Sequence, residues 1–158
     1  MAGELKKYVG RSVALEFFIG YGDTLPGPSD WLPIGSLRTK EFNVEWDMAD
    51  ATDADAIGSL RESLATFKSL TISGDGVSRR EDDTVGNQTA LYKHFINPTA
   101  TGDQPVVWMR MTFPDLTFTA YMMLSSMSRS APYDDVVTFS FEASSTSSEF
   151  GLIVEDTP

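Results

Sequence analysis

The side chains best able to do chemistry in this chain are few and scattered. His94 is the only histidine and sits between Lys93 and Phe95. As a general base it needs an orienting carboxylate and a nucleophile within reach, and the local sequence supplies neither. It reads as a surface or helix-flank residue. No Gly-x-Ser-x-Gly, His-Glu-x-x-His or phosphate-binding loop occurs, and Gly20 and Gly22 do not complete a dinucleotide fingerprint. The most tempting metal ligands are Asp47, Asp50, Asp53 and Asp55. An EF-hand started at Asp53 puts Asp55 and Gly58 in register, but Ile57 and Leu64 then fall where ligand oxygens are required. The sequon Asn87-Gln88-Thr89 lies on a predicted helix and reads as chance. Trp46, Trp108, Met122, Met123 and Met127 could line a groove, yet residues of these types more often fill a core. The expectation is a protein with no catalytic constellation, no metal and no cofactor.

Composition narrows the classes. The chain has 158 residues, 41% of them hydrophobic, enough for one packed domain. Its formal charge is −11 and its pI near 4.3, a balance that repels nucleic acid. Cysteine is absent, which removes disulfide scaffolds and thiolate metal sites and fits synthesis in a reducing cytoplasm. Residues 1–20 hold two lysines but no apolar run suited to a signal peptide, and nothing approaches the ~20 apolar residues of a membrane span.

The stretch around which the rest is organised runs over residues 36–77. From Leu37 to Met48, Phe42, Val44, Trp46 and Met48 alternate with Glu41, Asn43, Glu45 and Asp47, the period of a half-buried strand. An acidic, small-residue excursion follows, then a returning strand from Lys68 to Val77. Within the return, Ser59 and Glu62 match a capping box, and Leu60, Leu64 and Phe67 recur at helical spacing, which predicts a short helix or turn. Gly74 or Gly76 is expected to mark a bulge. A two-stranded arm with an acidic tip is built for something other than filling a core.

Elsewhere the chain is mostly β. Residues 1–10 form a polar arm. Ser12 to Ile19 reads as a strand burying Val13, Leu15, Phe17 and Ile19. Residues 20–30 form an exposed loop, and Trp31 to Ile34 a short strand. Thr84 to Asn97 is the one convincing helix, closed by Pro98. Pro105–Phe113 and Leu116–Ser125 form a hairpin around Pro114-Asp115. Val136–Ser145 follows, and a last short strand lies near 150–154 within the 149–158 tail. The fold class is mainly β with one helix: a single antiparallel β-sandwich or partial barrel with the helix packed on it and a long protruding hairpin.

The arm LRTKEFNVEWDMADATDAD, the return LRESLATFKSLTISGDGVS, the helix ALYKHFINP and the ending MLSSMSRSAPYDDVVTFSFEASS occur in this order. Together they resemble the major tail tube proteins of long-tailed bacteriophages, over about residues 10–148. The resemblance implies subunits joined as hexameric rings, sheets merging into a ring barrel, and rings stacked into a hollow tube that conducts double-stranded DNA. It implies a virion location, reached from the host cytoplasm, and tape measure, terminator and tail-tip proteins as partners. DNA passes without specific binding, and no membrane is involved. On this reading Trp46, Asp47, Met48, Asp50, Asp53 and Asp55 form an inter-ring contact loop. Glu41, Glu45, Asp47 and Glu142 are candidates for an acidic lumen, with a solvated outer face as the alternative. Arg79, Arg80 and Arg129 are candidate basic partners. The loop at 20–30 departs from the family pattern. Rival readings are the tube of a contractile or secretion apparatus, and a carbohydrate- or ligand-binding β-sandwich using Trp31, Trp46 and Trp108.

Overall fold

The computed structural model describes residues 13–34, 37–50, 63–77 and 88–157. Eight strands and one α-helix are present among them: β1 (Ala14–Phe18), β2 (Leu32–Pro33), β3 (Leu37–Asp50), β4 (Ser63–Val77), α1 (Gln88–Ile96), β5 (Val106–Thr112), β6 (Leu116–Ser130), β7 (Thr138–Ser145) and β8 (Ile153–Asp156). All pairings are antiparallel, in the order β2-β1-β5-β6-β7-β4-β3, with β8 added to β6.

β6 is the pivot. Its first half pairs β5 along one edge and β8 along the other, and its second half pairs β7. A register shift between Leu124 and Ser126 separates the two halves; such a bulge bends and twists a strand. One continuous sheet therefore curls into two facing sections. Leu15, Phe17, Met109 and Met111 from one section bury with Leu70, Ile72, Phe139 and Phe141 from the other. Phe42 on β3 lies 4.3 Å, centroid to centroid, from Phe118 on β6, which closes the barrel across its mouth. The alternation expected on β1 and β7 is seen in the buried Val13, Leu15, Phe17, Phe139, Phe141 and Ala143, whereas on β6 Thr119 and Tyr121 are buried as well as Ala120 and Met122.

The short helix plugs one end of this core through Leu91. His94 differs from expectation. It is 5% exposed, and its Nε2 lies 2.8 Å from the Val106 carbonyl. A carbonyl can only accept, so Nε2 carries a proton and donates. The polar character of the residue suggested a surface position; a hydrogen bond to the start of β5 lets the helix bury it instead. Behind it, the Thr101 hydroxyl donates to the Gln104 carbonyl at 2.6 Å, and Gly102 and Asp103 turn the chain with positive φ.

Two further expectations are corrected. The helical spacing of Leu64 and Phe67 is not helix: both lie in β4, which begins at Ser63 rather than Lys68. The ladder shifts register between Trp46 and Met48, so β4 carries an extra residue there and its strict alternation breaks. The capping box at Ser59–Glu62 lies outside the described residues, as do residues 1–10 and the first residues of the expected helix. β6 also runs on to Ser130, five residues past the expected end at Ser125.

A second, smaller core occupies the other face of β5 and β6. Trp108 is fully buried there against Tyr121, with Phe18, Trp31 and Met123 packed on it. The Trp108 indole N–H donates to the Tyr21 carbonyl at 3.0 Å and the Tyr121 hydroxyl to the Gly20 carbonyl at 3.2 Å. The root of the 20–30 loop is thereby tied to the sheet. Trp108 and Met122 are core, as expected, and Met123 and Met127 are partly buried.

Candidate functional site

The β3–β4 hairpin is where the molecule departs from a closed globule. The fourteen residues of β3 span about 48 Å at ~3.4 Å per residue. β4 pairs β7 only over Thr71–Val77. Beyond that, Glu45–Asp50 and Ser63–Ser69 pair only with each other. A two-stranded ribbon is at best marginally stable in water. This one also carries exposed apolar side chains: Trp46 is 50% exposed, Met48 64%, Leu64 63% and Phe67 77%. Trp46 and Met48 continue the face that Phe42 and Val44 turn toward the core, whereas Leu64, paired with Ala49, lies on the reverse face. Apolar side chains on both faces of a free ribbon mark a contact surface for another molecule.

At the base of the arm, β3, β4, β7 and the second half of β6 form a four-stranded section with one hydrophilic face. The register puts Glu41 beside Ser73 and Ser73 beside Glu142, with Thr39, Asp75, Ser140 and Ser128 in the next row. The Ser128 and Ser140 hydroxyls are 2.6 Å apart, and Asn43 donates to Glu45 at 3.1 Å. Glu41, Glu45, Asp75 and Glu142 are exposed on this side. Arg38 lies beside them, in a depression with Asp75, Ser128 and Ser140. On the core side of the same strand, Gly74 leaves room for Phe141: a Cβ there would come within 3.0 Å of the Phe141 ring and 3.2 Å of the Thr39 carbonyl. The bulge expected near Gly74 or Gly76 is on the partner strand, where Arg38 is the extra residue opposite Gly76 and Asp75.

Both lateral edges of this section are open among the described residues. β3 is a terminal strand of the sheet. β6 keeps its β5-side ladder only as far as Met123 and β5 begins at Val106, so Ser126–Ser130 have a strand neighbour on the β7 side alone. Long open edges invite pairing with another chain.

The sequence-predicted residues fall as follows. Trp46, Asp47, Met48 and Asp50 lie on the free half of β3; Asp53 and Asp55 lie outside the described residues. Glu41, Glu45 and Glu142 share the hydrophilic face, and Asp47 follows Glu45 at strand spacing. Arg79 and Arg80 lie outside the described residues. Arg129 stands on β6 with its guanidinium 4.2 Å from the Tyr92 ring centroid. Asp75, Leu64 and Phe67 were missed. Alternation carried through Thr71, Ser73 and Asp75 finds the first; the bulge hides the other two. Trp31, Trp46 and Trp108 do not share a surface, because Trp108 is fully buried and Trp46 is out on the arm. No group of three His, Cys, Asp or Glu able to hold a metal occurs among the described residues, and no described helix is long and apolar enough to cross a membrane.

A family model described as phage tail tube protein matches residues 10–148. The chain belongs to the phage tail tube protein family. It is a structural component of a virion tail and not an enzyme. Solved tail proteins share the fold. A chain of a native gene transfer agent virion matches with a TM-score of 0.70 at 17% identity, covering 96% of this chain and 100% of that one. A chain from the tail of an empty gene transfer agent particle, refined with C6 helical symmetry, matches at 0.68 and 18%, with the same coverage. The SPP1 tail tube protein matches at 0.64 and 12%, covering 96% of this chain and 80% of that one. No curated protein matches by sequence. In this tail tube protein the free hairpin and the hydrophilic four-stranded section are thus features of a subunit whose family builds tubes.

Proposed function

We propose that this chain assembles into hexameric rings that stack into the tail tube of a long-tailed phage, and that its hydrophilic four-stranded face lines the channel through which double-stranded DNA leaves. The observation that carries the reading is that four-stranded section, polar on one face and open at both lateral edges. Joining β3 of one subunit to the second half of β6 of the next removes both edges and closes a continuous barrel. The C6 symmetry of the gene transfer agent tail supports six as the ring number. Glu41, Glu45, Asp75 and Glu142 give the wall a negative sign. Phosphates are then repelled, and DNA is not held by counterion-release binding as it passes.

The arm supplies the axial contact. Trp46, Met48, Leu64 and Phe67 bury against the adjoining ring, and Asp47, Asp50, Asp53 and Asp55 act at its tip. Basic side chains such as Arg79, Arg80 and Arg129 are their candidate counterparts. Tape measure, terminator and tail-tip proteins are the remaining partners of this reading.

Negative-stain microscopy of the purified protein, alone and with a tail-tip or tape-measure nucleus, tests the proposal. Rings about one subunit thick, or tubes with a central channel and six-fold end views, are expected. Monomers under every condition refute it.

A further inference from the structure

The face of β1, β5, β6 and β8 turned away from the main core bears a groove of about 680 Å³, apart from both the arm and the hydrophilic face. Its floor is two cross-strand rows in register, Ala14–Thr112–Thr117–Glu155 and Glu16–Arg110–Thr119–Ile153. The 20–30 loop walls one side with Leu25, Pro26 and Pro28, and Trp31 adjoins them. The groove is preformed. Arg110 donates to Glu16 through Nε and Nη2, at 3.1 and 2.8 Å, and its guanidinium lies 4.7 Å from the Trp31 ring centroid. Trp31 in turn packs on the buried Trp108–Tyr121 pair. Arg110 is thus neutralised by Glu16, whereas among the described residues no ion pair takes up Glu155 or Asp156 at the far side. The net sign is negative, with an aromatic and proline wall opposite. Such a surface suits an extended basic peptide.

We infer that this groove holds residues 1–12 of a second copy of the chain, in an adjoining ring of the tube. Charge complementarity supports the assignment. In a chain of net charge −11, residues 1–12 carry Lys6, Lys7 and Arg11 against Glu4 alone, with Tyr8 among them. Direction supports it too. β1, followed backward through Ala14, leaves the sheet beside Thr112 at the β5–β6 turn, at the end of its own groove's floor and heading out beyond it. Twelve residues reach at most about 40 Å when extended, well beyond the groove's width of about 15 Å across four strands. The segment is long enough to bridge to a neighbour and must reverse to fill its own subunit's site. The inference rests on the tube reading, and adds a strap on the face opposite the channel wall.

The absence of cysteine makes the test direct. Lys7→Cys and Glu155→Cys are combined in one chain, tubes are assembled and checked by microscopy, and the disulfide is formed by mild oxidation. Chain-to-chain ladders on a denaturing gel are expected from tubes and not from monomer. In parallel, Lys6→Glu with Lys7→Glu should raise the critical concentration for assembly roughly three- to tenfold, and adding Glu155→Lys with Asp156→Lys should restore it. Tubes that form normally but give only intrachain closure, or no disulfide, overturn the strap and leave the tube intact. So does a charge swap that restores nothing. A parent protein that never forms rings or tubes removes the basis of both.

Discussion

Trp46 and Lys68 face each other across the β3–β4 ladder, with the Lys68 ammonium 5.5 Å from the indole centroid. They are the last core-side pair before the register shift to Met48 and Ala65. Below them Val44 and Phe42 pack on the core; above them the ribbon stands free. The pair therefore marks where folding energy within the subunit ends and contact between subunits begins.

Trp46→Ala follows from that position. The ring is half exposed and an exposed cation–π contact contributes about 0.5–1 kcal/mol, so unfolding of the monomer should change by no more than about 1 kcal/mol. Assembly should fail or require far higher concentration, because a buried aromatic anchor often contributes ~2 kcal/mol or more at an interface. Thermal melts beside a sedimentation assay separate the two effects. A large drop in monomer stability would place Trp46 in the subunit core.

Trp108 shows the opposite behaviour. It is fully buried on the second core, and its N–H ties the Tyr21 carbonyl. Trp108→Ala should cost about 3–5 kcal/mol. Trp108→Phe keeps much of the volume but leaves the loop carbonyl without its donor, at about 1–3 kcal/mol. Chemical denaturation measures both, and proteolysis in the 20–30 loop should rise in the Phe variant before global unfolding does.

Much of this architecture was legible because period-two patterning survives wherever one face is buried and the other wet. The buried faces of β1 and β7 read correctly for that reason, although β7 begins at Thr138 rather than Val136. Tyr121 did not, because the second core covers the face that alternation assigns to solvent. Leu64 and Phe67 imitate a helix because a bulge breaks the alternation of β4, and a sequence window does not distinguish a skipped residue from a change of period. His94 was misplaced because its partner is a backbone carbonyl twelve residues away, which leaves no trace in side-chain pattern. The hydrophilic face was legible in part. Glu41 and Glu45 were found by alternation against Phe42 and Val44, whereas Asp75 sits in a glycine-flanked stretch whose glycines hide the apolar side of the same strand.

Tyr121 gives a pH signature. Burial raises its pKa above the usual phenol value; the nearby Tyr21 and Asp23 add to this, while a backbone hydrogen bond at Gly22 opposes it. A phenol whose pKa is higher folded than unfolded contributes stability that is complete below ~10 and lost as pH rises through the folded value. Wild-type stability should fall from about pH 10 upward. Tyr121→Phe should be less stable near neutrality, by about 1 kcal/mol for the lost bond to Gly20, and should fall less steeply in alkali. Parallel alkaline slopes for the two proteins would show that other groups control the decline.

The sign of the channel wall is open to the same kind of test. Glu41 and Glu142 are exposed and flank Ser73 on one face, so Glu41→Lys with Glu142→Lys should leave the fold within about 0.5 kcal/mol of wild type, as expected for surface changes. If that face lines the channel, wild-type tubes should not retain short duplex DNA even at low salt. Tubes of the double variant should retain it, and each phosphate neutralised by a new lysine should steepen the slope of log affinity against log salt by about 0.9. Reversing two exposed acidic groups beside the root of the 20–30 loop instead, Asp23 and Glu149, controls for adsorption elsewhere on the tube. Cosedimentation of labelled duplex across a salt series reads the result. If the two variants bind equally, or if wild-type tubes already hold DNA, the hydrophilic face is not the wall of the conduit and the carboxylates on it serve solubility alone.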